Sequence, residues 1–172
     1  GSVVNAGGDV VIDGSAFVAV EDVIAGGNIL LTSAGGAFVV PGRTVQAING
    51  NVTIAGNRDA NGVGDVFLDP MSTVIASNGS VEIVGASVVV HNVQAATSLN
   101  ITTNDADADE GNVTGNDALN AGGQVTINAA NNFDLIGTVT GAGLTATAGN
   151  EAFIRSAVSA VGGNVFVTAK SS

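Results

Sequence analysis

The chain alternates short apolar–polar–apolar runs with pairs of small residues, and one such run recurs eight times. Each run follows small residues, often Gly-Gly, and one polar residue, as in AGGDVVI, AGGNILL and VGGNVFV. The first apolar residues of the runs are Val10, Ile29, Val52, Val81, Leu99, Val125, Leu144 and Val165. They are separated by 19, 23, 29, 18, 26, 19 and 21 residues. The sequence therefore contains an internal repeat with a basic unit of about 20 residues.

Each repeat also contains two further apolar runs, exemplified by SAFVAV and EDVIA. Alternation with a period of two indicates strands, and we find no apolar stripe of helical period. At about 3.3 Å per residue, 20 residues close one three-sided coil, and coils stack about 4.8 Å apart as parallel strands. We expect an all-β fold with almost no helix: a right-handed parallel β-helix, a three-sided solenoid of about eight coils. Residues 1–172 are expected to form a single domain. The predicted inward pairs of the first run are Val10/Ile12, Ile29/Leu31, Val52/Ile54, Val81/Ile83, Leu99/Ile101 and Val125/Ile127.

The middle run of most repeats is centred on a phenylalanine, and we expect these rings to form one axial column. The predicted members are Phe17, Phe38, Phe67, Phe133 and Phe153, with Val88 and Val113 in the intervening coils. An inward column is favoured because Asp134 then points outward between Phe133 and Leu135. It leaves a set of apolar residues outside, namely Val18, Val39, Leu68, Val89 and Ile154.

The polar residue that precedes the first run is equivalent in each coil. The aligned residues are Asp9, Asn28, Asn51, Ser80, Ser98, Gln124 and Asn164. Stacked amides can hydrogen-bond along the axis of a β-structure, whereas turns favour Asn and Ser in any case. Both interpretations are compatible with a ladder of side chains at one corner of the solenoid.

Composition and charge exclude several classes of function. The net charge is −11, and the cations are limited to Arg43, Arg58, Arg155 and Lys170. Four scattered cations cannot neutralise the phosphates of a nucleic acid or bind an anionic membrane surface. No apolar run approaches the roughly 20 residues that span a bilayer, so we expect no membrane insertion. The chain has no Cys, which is compatible with a secreted bacterial-type protein and with a cytosolic one.

The Gly-Gly-x-Val-x-Ile repeats resemble the haemagglutinin-type repeats of large bacterial exoproteins. That family is exemplified by filamentous haemagglutinin and other exoproteins of two-partner secretion. The resemblance is carried by AGGDVVI, AGGNILL, AGGQVTI and VGGNVFV and extends from Ala6 to Ala169. It implies a long right-handed β-helix on the cell exterior, an adhesin-like role and an extracellular or cell-surface location. The NPNG-type motif of that family's secretion domain does not occur in this sequence.

Two repeats are lengthened at the same place, between the first and second strands. The inserts are Asn57–Asp65 and Asn104–Asn112, and both are rich in carboxylates and amides. Alternate oxygen ligands on a curled, glycine-containing loop suit Ca²⁺, a hard cation that takes six to eight oxygens. Neither insert matches a complete twelve-residue calcium loop, and a pair of solvated acidic loops is the alternative. The candidate ligands are Asp105, Asp107 and Asp109 in the second insert and Asp59, Asn61 and Asp65 in the first.

Other candidate chemistry is sparse. His91 is the only histidine, and we expect it to be a surface or turn residue. Glycoside hydrolysis needs two carboxylates that face one groove, and lyases also need a base. The outward positions of the first strand are Val11, Leu30, Thr53, Glu82, Asn100, Thr126, Thr145 and Phe166. This face has one carboxylate and no Lys or Arg, so we expect no enzyme, and its threonines are interrupted by other residues. An ice-binding solenoid and a polysaccharide-active β-helix stay as minor alternatives.

The most favoured role is therefore an extracellular structural one. Each end of a solenoid exposes unpaired strand edges, and the sequence shows no obvious cap. Two interpretations follow: copies stack end to end into a surface or matrix fibre, or the chain is a segment of the stalk of a larger secreted adhesin. The expected partners are other copies of the chain and a receptor on a host or matrix surface.

Overall fold

The apolar–polar alternation forms strands because β-branched side chains pack well on a pleated surface, while the intervening Gly, Asn and Ser residues form turns. The computed structural model describes residues 3–57, 63–105 and 110–170, and over these ranges the chain contains strands and turns but no helix. The first twelve strands are β1 (Val3–Ala6), β2 (Val10–Gly14), β3 (Val18–Val20), β4 (Asp22–Ala25), β5 (Ile29–Ser33), β6 (Ala37–Val39), β7 (Thr44–Ala47), β8 (Val52–Ala55), β9 (Val66–Leu68), β10 (Thr73–Ala76), β11 (Val81–Gly85) and β12 (Val88–Val90). The remaining strands are β13 (Asn92–Ala95), β14 (Leu99–Thr103), β15 (Val113–Gly115), β16 (Leu119–Ala121), β17 (Gln124–Ala129), β18 (Phe133–Leu135), β19 (Val139–Gly141), β20 (Gly143–Ala148), β21 (Ala152–Ile154), β22 (Val158–Ala160) and β23 (Val165–Ala169).

Every third strand belongs to the same sheet, and each strand pairs in parallel with its equivalents in the coils before and after it. Sheet A runs from β1 to β22 and sheet B from β2 to β23, with eight strands each. Sheet C runs from β3 to β21 and has seven strands. The predicted fold class is confirmed: the chain is a three-sided, right-handed parallel β-helix of about eight coils. At about 4.8 Å per coil, the solenoid is about 38 Å tall.

The core is a column of side chains that point inward from all three sheets. In sheet B, the register aligns Val10 with Ile29, Ile29 with Val52, and so on to Val165. The predicted inward residues of this sheet are buried from Ile29 to Ile127, and Ile12 packs against the core with partial burial. The alternation in the sequence therefore predicted both the register and the inward face of sheet B.

The prediction of a single phenylalanine column is wrong. Phe133 is fully buried and aligns with Val113, as predicted. Phe38 and Phe67 instead point outward, with ring centroids 5.7 Å apart, and Phe153 aligns with the outward Asp134. Phe17 precedes β3 and is 58% exposed.

The parity differs because each short strand of sheet C has only two inward positions. In β6 these positions are filled by Ala37 and Val39, so that Phe38 lies between them and faces out. Consequently Val18, Val39 and Leu68, which were expected outside, are buried in the core. In β18 the charged Asp134 takes the outward position and Phe133 turns inward.

The three edges of the solenoid are named here by the sheets that they connect. The A–B corner carries the small residues and the polar residue before each sheet B strand. The B–C corner carries both long inserts, between β8 and β9 and between β14 and β15, which confirms that they share one corner. The C–A corner contains His91, between β12 and β13.

Candidate functional site

The two inserts are joined at their base by a direct hydrogen bond. Asn57 Nδ2 donates to Asn104 Oδ1 at 2.8 Å, although the residues lie two coils apart. The coil between them turns this corner with only Ala86 and Ser87, and Ala86 is fully buried. Asn57 is only 3% exposed. Because the middle coil is short at this corner, the bases of the two inserts contact each other across it. The hydrogen bond therefore connects the first and the third of three successive coils.

The base of the second insert is fixed by buried polar contacts. Thr103 Oγ1 donates to the carbonyl of Gly111 at 2.8 Å and accepts the backbone N–H of Ala130, also at 2.8 Å. Gly111 has a φ of +73°, a conformation that favours glycine. Asp105 stands beside this turn and is only 9% exposed. The base of the second insert is thus held by hydrogen bonds within its own coil and to the following coil.

The predicted ligand Asp65 belongs to an axial ladder. Its side chain is exposed, and Oδ1 accepts the backbone N–H of Ser87 at 2.9 Å. Further up the same corner, Asn112 Oδ1 accepts from Asn132 N at 3.2 Å, and Asn132 Oδ1 accepts from Glu151 N at 3.0 Å. Each of these residues directly precedes a sheet C strand, and that position was the signal by which the ladder could have been found in the sequence.

The other four predicted ligands, Asp59, Asn61, Asp107 and Asp109, lie outside the described residues. Within residues 3–57, 63–105 and 110–170, no group of three or more His, Asp or Glu side chains is arranged to hold a metal ion. Calcium binding by the inserts therefore stays a prediction.

The ladder predicted at the A–B corner is present over its first five members. Asp9 Oδ1 accepts the backbone N–H of Asn28 at 2.6 Å, and Asn28 Oδ1 accepts that of Asn51 at 2.9 Å. Asn51 Oδ1 accepts from Ser80 N at 2.8 Å, and the hydroxyls of Ser80 and Ser98 are 2.8 Å apart. The series changes at the next coil, where Gln124 Nε2 donates to Thr145 Oγ1 at 3.1 Å. The backbone N–H at this position thus repeatedly donates to a side chain of the preceding coil.

His91 is the single residue that connects β12 to β13, and it is not a surface residue. It is 8% exposed, and its Nδ1 is 2.6 Å from Asp117 Oδ2 in the following coil. Asn116 Nδ2 approaches the other ring nitrogen, Nε2, at 3.3 Å. These two contacts tie the C–A corners of neighbouring coils together, so the geometry supports a structural role for the imidazole.

Two more charged contacts connect successive coils on the outside. Asp22 accepts the backbone N–H of Thr44 at 2.9 Å and a hydrogen bond from Arg43 at 3.1 Å. The Thr44 N–H, followed by Arg43, lowers the pKa of the Asp22 carboxyl below its usual value. Arg155 Nε contacts both carboxylate oxygens of Asp134, at 2.7 and 2.9 Å. This contact raises the pKa of Arg155.

The outward face of sheet B has the register that the sequence predicts, with Glu82 aligned between Thr53 and Asn100. Its neighbours along the axis are therefore polar but uncharged. The described side chains of this face do not bring a second carboxylate next to Glu82.

Comparison with known proteins returns no match among protein-family models, curated proteins or solved structures. In the described ranges there is no helix of the length and apolar character needed to cross a membrane.

Proposed function

We propose that this chain is an extracellular structural protein, a stiff β-solenoid rod whose copies stack end to end into a surface or matrix fibre. One observation carries the proposal: all three sheets continue in parallel from the first described coil to the last. A rod of this kind lengthens by one strand spacing per coil, so its mechanical length is proportional to the number of coils.

The contacts at the corners support a mechanical role. The ladder that begins at Asp9 connects coils at the A–B corner, and the one that begins at Asp65 does so at the B–C corner. The Asn57–Asn104 hydrogen bond connects coils that are not even adjacent. Each contact runs along the axis, and together they resist the separation of coils. The extracellular location is supported by the haemagglutinin-type repeat pattern.

The second candidate is a stalk segment of a larger secreted adhesin, which presents a receptor-binding part at a distance. It uses the same rod and is favoured by the same repeat pattern. In both proposals the chain is a spacer and not an enzyme.

Negative-stain electron microscopy and sedimentation of the purified chain distinguish the two. Filaments many times longer than about 38 Å, the height of eight coils at the usual strand spacing, are expected for a fibre subunit. Monodisperse short rods at all concentrations would contradict the fibre and leave the stalk.

Calcium is a proposed accessory of the rod, held by the two acidic inserts. The hydrogen bond between Asn57 and Asn104 joins the bases of the inserts, and a bound ion would stiffen both. Isothermal calorimetry with CaCl₂ is expected to show binding, together with a higher melting temperature, because a ligand of the native state stabilises it. The variant Asp105→Asn with Asp65→Asn serves for comparison, and no heat with the parent chain would remove calcium from the account.

A further inference from the structure

The glycines of the A–B corner are required by the coil beneath them. A Cβ atom on Gly26 would overlap the carbonyl oxygen of Gly7, and one on Gly163 would overlap that of Ala142. Neither Gly26 nor Gly163 has a positive φ, so backbone conformation does not account for glycine at these positions. The close approach of the preceding coil accounts for glycine at both positions.

The A–B corner of the first coil has glycines at the same positions, Gly7 and Gly8, but no described residue of a preceding coil lies against them. A Cβ on Gly7 or Gly8 would have no atom within 4 Å. Gly42 and Gly162 also have open space, but their φ values of +69° and +93° favour glycine. Among the glycines in the described ranges, only Gly7 and Gly8 combine open space with an ordinary φ. A further coil beneath them would supply the missing reason.

The last coil offers the hydrogen-bonding groups that such a contact needs. Inside the solenoid, the N–H groups of Asn28, Asn51 and Ser80 each bind a side-chain oxygen of the coil before, as Asn51 N binds Asn28 Oδ1. The strand of the earlier coil binds back, as Leu144 N donates to Asn164 O at 3.0 Å. Asn164 is the ladder residue of the last coil, and its side chain is exposed. A following coil that began with Asp9 would complete both bonds.

The two ends also match in apolar surface. Val165 and Val167 are 47% and 43% exposed, whereas Leu144 and Ala146, their partners in the preceding coil, are 1% exposed. The sheet B register would place Val165 on Val10 and Val167 on the partly buried Ile12. Their burial would therefore extend the existing core column.

Charge favours a second copy, joined head to tail, as the occupant. Residues 3–22 carry four carboxylates and no Lys or Arg, whereas residues 151–170 carry one carboxylate, Arg155 and Lys170. The ends have opposite net charge, although each whole chain carries −11. Side-by-side contact is disfavoured by that repulsion, and end-to-end contact brings unlike charges together.

We infer that the first coil is a docking surface for the last coil of a second copy, with Gly7 and Gly8 seated on Gly162 and Gly163. Strand β1 then pairs with β22 of the other copy, and β2 with its β23. The contact forms through sheets A and B, because β3 and β21 would lie two strand spacings apart in sheet C. The inference rests on the proposed fibre function and identifies the surface that forms it.

The test uses the whole chain with the double substitution Gly7→Ala and Gly8→Ala. Within one copy the added methyl groups meet nothing, so the melting temperature followed by circular dichroism is expected to stay the same or rise slightly. Between copies they collide with the adjoining corner. Sedimentation velocity and electron microscopy are expected to show filaments for the parent chain. The variant is expected to remain monomeric up to concentrations at least about tenfold higher than those at which the parent assembles.

The single substitution Asn164→Ala provides a second, independent variant. It removes an oxygen that only a further coil would use, so it is expected to weaken assembly and leave the melting temperature unchanged. The interior substitution Asn28→Ala is its matched control and is expected to lower the melting temperature.

The possible outcomes separate the inference from the function on which it rests. If the parent and the glycine variant assemble equally well, this docking surface is refuted and the fibre stands. If the glycine variant is unfolded, Gly7 and Gly8 act within one copy, and the inference is also refuted. If the parent remains a folded monomer, both the docking surface and the fibre are wrong.

Discussion

The A–B and B–C corners solve the same geometric problem in different ways. Successive strands are connected by one to four residues at the A–B corner but by up to ten at the B–C corner. At the A–B corner the stacked backbones come so close that a methyl group on Gly122 would overlap the carbonyl oxygen of Ala96. At the B–C corner the described ends of the inserts are held by hydrogen bonds, between Asn57 and Asn104 and through Thr103.

The difference shows where a solenoid can change without losing its register. The coil that contains the first insert and the one that contains the second keep the same strand alignment in sheet B as their neighbours. Differences in repeat length are therefore absorbed outside the ladder at the B–C corner. The A–B corner sets the spacing of the coils, and the B–C corner is where new surface can be added.

The largest effect is expected for a methyl group at the tight corner. Gly122→Ala forces a Cβ against a backbone carbonyl that cannot move without breaking its own coil, and overpacking of this kind costs about 3 kcal/mol of unfolding free energy. Urea unfolding of the purified variant measures the loss. Gly7→Ala, at the register-equivalent position of the first coil, is the control. An equal loss in both variants would show that crowding by the preceding coil does not explain these glycines.

A smaller effect is expected for the hydrogen bond that joins the inserts. Asn104→Ala removes an acceptor of the buried Asn57 amide, and the loss of such a partner costs about 1–2 kcal/mol. A double-mutant cycle with Asn57→Ala isolates the pair, and we expect a coupling of about 0.5 kcal/mol or more. Strict additivity of the two substitutions would mean that the loops are not energetically joined at this point.

The smallest effect is expected at the exposed Asp22 contact, and it depends on pH. The native pKa of Asp22 is lowered, chiefly by the Thr44 N–H. Its contribution to stability is therefore fully present above the unfolded pKa of about 4 and is lost as the pH falls through the lower native value. Asp22→Asn should slightly reduce the melting temperature at pH 6, and the difference from the parent should shrink as the pH falls below about 4. Glu82→Gln removes the same charge from the face of sheet B for comparison, and a difference that grew on acidification would contradict the assignment.

The sequence predicted those features that recur at equivalent positions in several coils. Strand alternation, the register of sheet B, the A–B ladder and the position of both inserts could be found because the same residue types recur at the same place. The orientation of Phe38 could not be predicted, because Ala37, Phe38 and Val39 are all apolar. A three-residue strand of this composition has no polar–apolar alternation that would indicate which side chains face inward. In β18 the charge of Asp134 removed that ambiguity.

Contacts that do not join equivalent residues of adjacent coils were also beyond the sequence. The Asn57–Asn104 bond depends on the shortness of the coil between them, and the burial of His91 depends on Asp117, 26 residues further along. Neither pair has a pattern that recurs elsewhere in the chain. The B–C ladder, by contrast, could have been predicted by applying to sheet C the rule already evident before each sheet B strand.

The most direct measurement of the stacked-coil arrangement is a set of distances along sheet B. The chain has no Cys, so paired cysteines for spin labelling can be placed at Leu30 and, in turn, at Thr126, Thr145 and Phe166. These outward positions lie four, five and six coils above Leu30. Double electron–electron resonance should give distances near 19, 24 and 29 Å, with equal steps of about 4.8 Å per coil. Distances that did not increase by one strand spacing per coil would contradict the β-helix and the mechanical role built on it.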